Sequence, residues 1–144
     1  MDEFKVFLGG VRDGVWRNIL IDYLDEAKIK YYNPVSKYWT PNTIKKEIVA
    51  KAKSNTHLFM INTKMTGMYA YFEAAVSAQN ESVRTIIVFD EHKCDTYMER
   101  STDASIMLLQ ATYGDNLVIL KVNTGDPKHV KQMNKLIVKA ILKK

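Results

Sequence analysis

The sequence is poorest in the residues that brace small extracellular folds and bind metals. Its 144 residues include one cysteine (Cys94), three prolines and three histidines. A single thiol excludes an internal disulfide framework and the multi-cysteine clusters that hold structural zinc. Cys94 lies in the polar segment HKCD, where a nucleophilic thiol is not expected. His57, His92 and His129 are scattered, without metal-ligand spacing, so neither a metal nor another cofactor is expected. His57 opens an apolar strand and reads as structural. No apolar run approaches the roughly 18 residues of a membrane-spanning helix. The opening segment MDEFKVFLGG lacks the basic and long apolar stretches of a secretory signal, and a cytoplasmic location is expected. There is no phosphate-loop pattern and no serine elbow.

What is present is an ordinary globular balance, 47% hydrophobic and 26% charged. The length suits one domain over residues 1–144, with a real core. The net charge of +5 is unevenly placed: residues 127–144 carry six lysines and no acid, leaving fifteen basic against sixteen acidic residues before them. Those lysines alternate with an apolar stripe, as on any solvated outer helix. Nucleic acid is therefore not the expected partner, nor is a membrane.

Short apolar runs alternate with segments of helical period. Strands are predicted at Lys5–Gly9, Lys30–Tyr32, His57–Ile61, Thr85–Phe89 and Leu117–Val122. Between the first two, Trp16, Ile19, Leu20, Tyr23, Leu24 and Ala27 form one apolar helix stripe, with Asp13 as its cap and Arg17 turned to solvent or an interface. Thr40-Pro41 starts a second helix with a hydroxyl cap and a first-turn proline. Further helices are predicted at about Met68–Asn80, between Asp95 and Tyr113, and over Pro127–Leu142. Strands apolar on both faces, each followed by a helix, imply an α/β three-layer, doubly wound (flavodoxin/Rossmann-like) domain with a five-stranded, mainly parallel sheet. Ligands of such sheets bind beyond the carboxyl ends of the strands. That directs attention to the loops after Gly9, Tyr32, Ile61 and Phe89.

The segment Met65–Asn80 is unusual, because its sixteen residues carry one charge, Glu73. An outer helix normally shows a charged face. Its absence predicts burial of a second face, against another subunit or under a loop, and hence a homo-oligomer. A lone carboxylate there is either desolvated and poised for chemistry, or reaches solvent or a structural hydrogen-bond network.

Taken in order, the strand KVFLGG, Asn33-Pro34, Trp39-Thr40, the loop Asn62–Gly67 and the run Tyr69-Ala70-Tyr71-Phe72-Glu73-Ala74 resemble the nucleoside 2-deoxyribosyltransferase-like family. The resemblance covers roughly residues 4–90. It implies that Glu73 is a nucleophile, attacking the anomeric carbon of a 2-deoxynucleoside and holding the sugar as an ester until another base takes it. It implies a small-molecule nucleoside or nucleotide as substrate, no cofactor, and an oligomer whose subunits complete each other's pockets. Phe7 stands where the family has an aromatic beside the base, or is simply core. Gly9 and Gly10 let backbone approach a ligand, with Arg12 nearby. Asn33 and Trp39 form a second loop at the ligand end, where Trp39 either stacks on the base or anchors the next helix. Asn62, Gly67 and Tyr69 complete the expected substrate-binding set.

The chain departs from the family in one respect. Better-known members carry aspartates in the loop before the nucleophile helix, whereas Asn62–Phe72 contains no acid. Asp13 or Asp90 are the available substitutes, although Asp90, followed by Glu91, reads as a solvated loop residue. The readings left open are transfer of 2-deoxyribose between bases, hydrolysis of a deoxynucleoside or deoxynucleotide, and a non-catalytic nucleotide-binding or sensing module.

Overall fold

The computed structural model describes residues 4–12, 15–35 and 39–143. Five strands alternate with five helices: β1 (Phe4–Gly10), α1 (Trp16–Glu26), β2 (Tyr31–Tyr32), α2 (Pro41–Ala52) and β3 (Ser54–Ile61), then α3 (Tyr69–Gln79), β4 (Arg84–Asp90), α4 (Thr96–Thr112), β5 (Leu117–Val122) and α5 (Pro127–Leu142). The strands form one sheet in the order β2-β1-β3-β4-β5, every neighbouring pair parallel. This is the three-layer α/β architecture expected from the alternation of short apolar runs with helical stripes.

Side chains alternate across the sheet and divide the core in two. Val6, Leu8, Leu58, Met60, Ile86 and Val88 pack against α1 and α5 through Leu20, Leu24, Met133, Ile137 and Ile141. On the other face Phe7, Phe59, Ile87 and Phe89 meet Ala50 of α2 and Ala74 of α3, with Ile106 and Leu109 of α4 half-buried at the edge. Glycine at position 9 and small residues on α2 and α3 let those helices sit close to the second face.

The helix starts follow their local chemistry. Thr40 Oγ1 accepts from the Thr43 backbone N–H, the Thr43 hydroxyl reciprocates toward Thr40, and Pro41 takes the first turn of α2. Asp95 caps α4 at Met98 N, and Asp126 accepts from Lys128 N at the start of α5, again with proline in the first turn. The cap expected at Asp13 lies outside the described residues. Strand β3 begins three residues earlier than hydrophobicity alone predicts, because Ser54 and Thr56 are buried polar residues in parallel register with β1.

The connection from β1 crosses to one face of the sheet and that from β3 to the other. Between β1 and β3, therefore, the loops diverge and leave a crevice at the carboxyl ends of the strands.

Candidate active site

A cavity of about 410 Å³ occupies that crevice, a volume suited to a nucleoside-sized ligand. Phe7 forms part of its base, its ring stacked on Tyr32 at 5.8 Å and 9°. Beyond Leu8 the strand ends on two positions that have to be glycine. A Cβ on Gly9 would fall 2.7 Å from the Phe59 ring, and Gly10 has φ +99°, where a Cβ would overlap the Met60 backbone. The following residue keeps the strand contact, Val11 N donating to Met60 O at 2.8 Å.

Arg17 holds the loop that follows. It is buried, and the expectation of a solvent or interface residue is corrected. Its Nε donates to Leu8 O at 3.1 Å and its Nη1 to Val11 O at 2.7 Å, with longer contacts to Gly10 O and Arg12 O at 3.4 Å. The guanidinium lies 4.4 Å from the Trp16 ring centroid. Burial lowers its pKa to about 10, against the opposing pull of Glu47 and Glu73. The buried cation thus gathers carbonyls from the end of β1 and the loop after it.

Glu73 lines the cavity from α3, but it is not isolated. Lys51 reaches across from α2 to place Nζ 2.6 Å from Glu73 Oε2, with 16% and 9% of the two side chains exposed. The Lys51 ammonium also stands 5.4 Å from the Phe7 ring centroid. A second carboxyl, Glu47, enters the same cavity one helical turn earlier on α2, at 8% exposure. Desolvation, then the charge of Glu73, raise the Glu47 pKa, while Lys51 and Arg17 hold it down. The neighbouring Tyr69 phenol is pushed up by burial and by both glutamates.

Behind this cluster, His57 ties α2 to α3. Its Nε2 donates to Lys51 O at 2.8 Å, and its Nδ1 accepts from the Ser77 hydroxyl at 2.9 Å. Desolvation lowers its pKa, which suits the neutral tautomer that this pairing requires. Its reading as a structural histidine matches these contacts.

Of the residues singled out in the sequence, Phe7, Gly9, Gly10, Arg12, Trp39, Gly67, Tyr69 and Glu73 all border this cavity. Trp39 and Tyr69 meet edge to face at its mouth, 5.1 Å apart. Asn33 and Asn62 are not among the lining residues. Their side-chain oxygens accept from Val35 N and Lys64 N two residues on, shaping the loops instead. Asp90 is not a solvated loop residue: it is 7% exposed, and its oxygens accept from His92 N, Thr124 N and the Thr124 hydroxyl. It does not line the cavity, and its alternative, Asp13, lies outside the described residues. Burial and four nearby acids raise the Cys94 thiol pKa, opposite to a nucleophile's need. Among the described residues, no group of three or more histidine, cysteine or acidic side chains could hold a metal ion.

Glu47, Lys51 and Arg17 were hidden by their own polarity. On α2 the apolar Ile48 and Val49 are each 54% exposed while Glu47 is buried, the reverse of an ordinary amphipathic helix. The available signal was spacing: Glu47, Ala50 and Lys51 share the helix face that meets the sheet.

The missing charges of α3 also acquire a location. Met68, Phe72 and Val76 are exposed to 68%, 63% and 66%, so the described residues do not cover that face.

Comparison with known sequences gives one family. The model described as nucleoside 2-deoxyribosyltransferase like matches residues 3–92, which contain β1 through β4 and every residue of the carboxylate cluster. No curated protein matches the chain.

Proposed function

Because the chain belongs to the nucleoside 2-deoxyribosyltransferase-like family, we propose that it transfers 2-deoxyribose between nucleobases with Glu73 as the nucleophile. The observation that carries this reading is a pair of carboxyls of unlike environment in one cavity. Glu73 faces a cation at 2.6 Å and Glu47 is held above its ordinary pKa.

N-glycosidic cleavage builds positive charge on the sugar and negative charge on the departing base. In this reading a Glu73 oxygen attacks the anomeric carbon as the C–N bond breaks. Glu47, whose protonated form burial favours, gives its proton to the base nitrogen, so the base departs neutral. It thereby fills the role left open by the lack of an acid in Asn62–Phe72. A second base then attacks the glycosyl ester while Glu47 takes its proton back. Phe7, Trp39 and Tyr69 provide apolar surface for the base and limit water, which would divert the ester to hydrolysis.

The direct test is incubation with 2′-deoxyinosine, with and without free adenine. Adenine-dependent formation of deoxyadenosine, abolished by Glu73→Ala, is expected. Unchanged activity in Glu73→Ala would remove the nucleophile. Tight nucleoside binding without turnover, undiminished by Glu73→Gln, would favour a sensing module.

One observation favours a phosphorylated substrate as a second reading. Arg12 and Lys64 approach the cavity from two different loops, with Lys64 exposed at its edge. If they engage a 5′-phosphate, kcat/KM for deoxyinosine 5′-monophosphate exceeds that for deoxyinosine and falls in Lys64→Ala. The exposed apolar face of α3 further supports a homo-oligomer. Among the described residues, no helix is long and apolar enough to cross a membrane.

A further inference from the structure

We infer that Lys51 is a shared counter-ion, which pairs with Glu73 before glycosyl transfer and with Glu47 after it. This rests on the proposed two-carboxylate reaction. Lys51 is a positioning residue here, because it acts through the two glutamates and does not line the cavity.

The geometry leads to it in three steps. Lys51 binds Glu73 Oε2 from α2, and it does not line the cavity, so it approaches the carboxylate from behind. That contact ties one oxygen and leaves the other available to the sugar. Glu47 and Lys51 are four residues apart on α2 and so share a helix face. The same ammonium therefore lies within electrostatic reach of both carboxyls, and it lowers the pKa of Glu47. Finally, the base of the Lys51 side chain is fixed, since its carbonyl accepts from His57, itself held by Ser77. With its base fixed and Glu47 one helical turn away, the flexible tip of Lys51 is the part free to exchange partners.

The charge balance of the first half-reaction makes this arrangement useful. At the start Glu73 is ionised and Glu47 carries a proton. As the C–N bond breaks and the C–O bond to Glu73 forms, Glu73 becomes a neutral ester. The Glu47 proton passes to the base, leaving Glu47 ionised. One negative charge has moved between carboxyls while Lys51 and Arg17 remain cationic, His57 stays neutral and the Tyr69 phenol stays protonated. The site never changes its net charge, so neither half-reaction has to create an unpaired charge beside the buried carboxyls.

The test is a titration cycle on protein carrying carboxyl-13C glutamate, with the Glu47 signal assigned by its loss in Glu47→Gln. Glu73→Gln imitates the charge lost on ester formation. In it the Glu47 titration moves to lower pH, because a like charge has gone and Lys51 is released to it. In Glu73→Gln/Lys51→Met the titration returns toward higher pH. Identical Glu47 titrations in the single and double variants would overturn the proposal, as would an unmoved titration in Glu73→Gln. In the exchange assay Lys51→Met loses on the order of tenfold to a hundredfold in kcat with little change in KM. Its alkaline limb, set by Glu47, moves to higher pH. Lys51→Arg recovers most of the rate; a folded Lys51→Met with wild-type kcat and pH profile contradicts the role. Should Lys51→Met not fold, Lys51→Arg decides alone: the alkaline limb must stay near its wild-type position. The titration does not depend on turnover, so failure to find transferase activity and failure of the shared counter-ion are separate results.

Discussion

Replacing Arg17 with methionine removes the guanidinium while keeping most of the buried stem, and the outcome can be worked from opposing contributions. Lowering the pKa from 12.5 to about 10, the balance of burial against the pull of Glu47 and Glu73, disfavours the charged form by about 3 kcal/mol, at about 1.4 kcal/mol per tenfold change in ionisation. Against this stand the two short bonds to Leu8 O and Val11 O, worth about 1.5–3 kcal/mol each as charge-assisted bonds. The position over Trp16 adds about 0.5–1 kcal/mol. Arg17→Met also leaves Leu8 O without its donor, whereas Val11 O keeps the Trp16 indole N–H at 3.0 Å. A net loss of about 2 kcal/mol follows. Unfolding entropy of ~2.1 cal/mol/K per residue makes that a fall in Tm of about 7 °C for a chain of this length. Lysine cannot reproduce the fork that serves several carbonyls, so Arg17→Lys recovers little. Thermal unfolding followed by circular dichroism measures both variants. A Tm within a degree or two of wild type for Arg17→Met, or full recovery by Arg17→Lys, would refute the reasoning.

Three other outcomes are expected. Gly10→Ala loses at least about 3 kcal/mol, since alanine is strained at φ +99° and its methyl overlaps the Met60 backbone, as chemical denaturation would register. For Glu47 the raised folded-state pKa favours the protonated carboxyl; the stability it confers is present below the ordinary carboxylate range and lost as pH rises through the folded value. Glu47→Gln is therefore more stable than wild type near neutral pH, and the difference fades at roughly pH 3.5 in urea unfolding curves. If the exposed α3 face is the interface of the proposed homo-oligomer, Phe72→Lys, which places a charge in it, shifts sedimentation velocity toward monomer; a monomeric wild type at micromolar concentration would contradict the proposed assembly.

The sheet was legible because its strands are short apolar runs separated by helical stripes, and parallel strands covered on both faces leave that pattern plainly. Gly9 and Gly10 were legible as candidate site residues because they end β1, where an α/β sheet opens, Glu73 because it is the one charge of Met65–Asn80, and Phe7 only through the family resemblance. The partners of Glu73 were not. Lys51 and Glu47 are charged residues on an exposed-looking helix, and only the packing of α2 against the sheet turns them inward while Ile48 and Val49 face out. Arg17 was misplaced for a similar reason: a guanidinium can be buried when a tight loop offers it a cluster of carbonyls, and loop geometry is not written in local periodicity. Asn33 and Asn62 show the converse. Polar residues in loops near a site attract functional readings, yet these two spend their side-chain oxygens on their own backbone turns.

The most direct test of the central claim is mass spectrometry of the protein quenched in acid during turnover of 2′-deoxyinosine. A covalent 2-deoxyribosyl adduct, mapped to the peptide containing Glu73 and lost on addition of adenine as deoxyadenosine forms, is the expected result. Transfer that proceeds in Glu73→Ala, or an adduct mapped to another residue, would contradict the assignment of Glu73 as nucleophile.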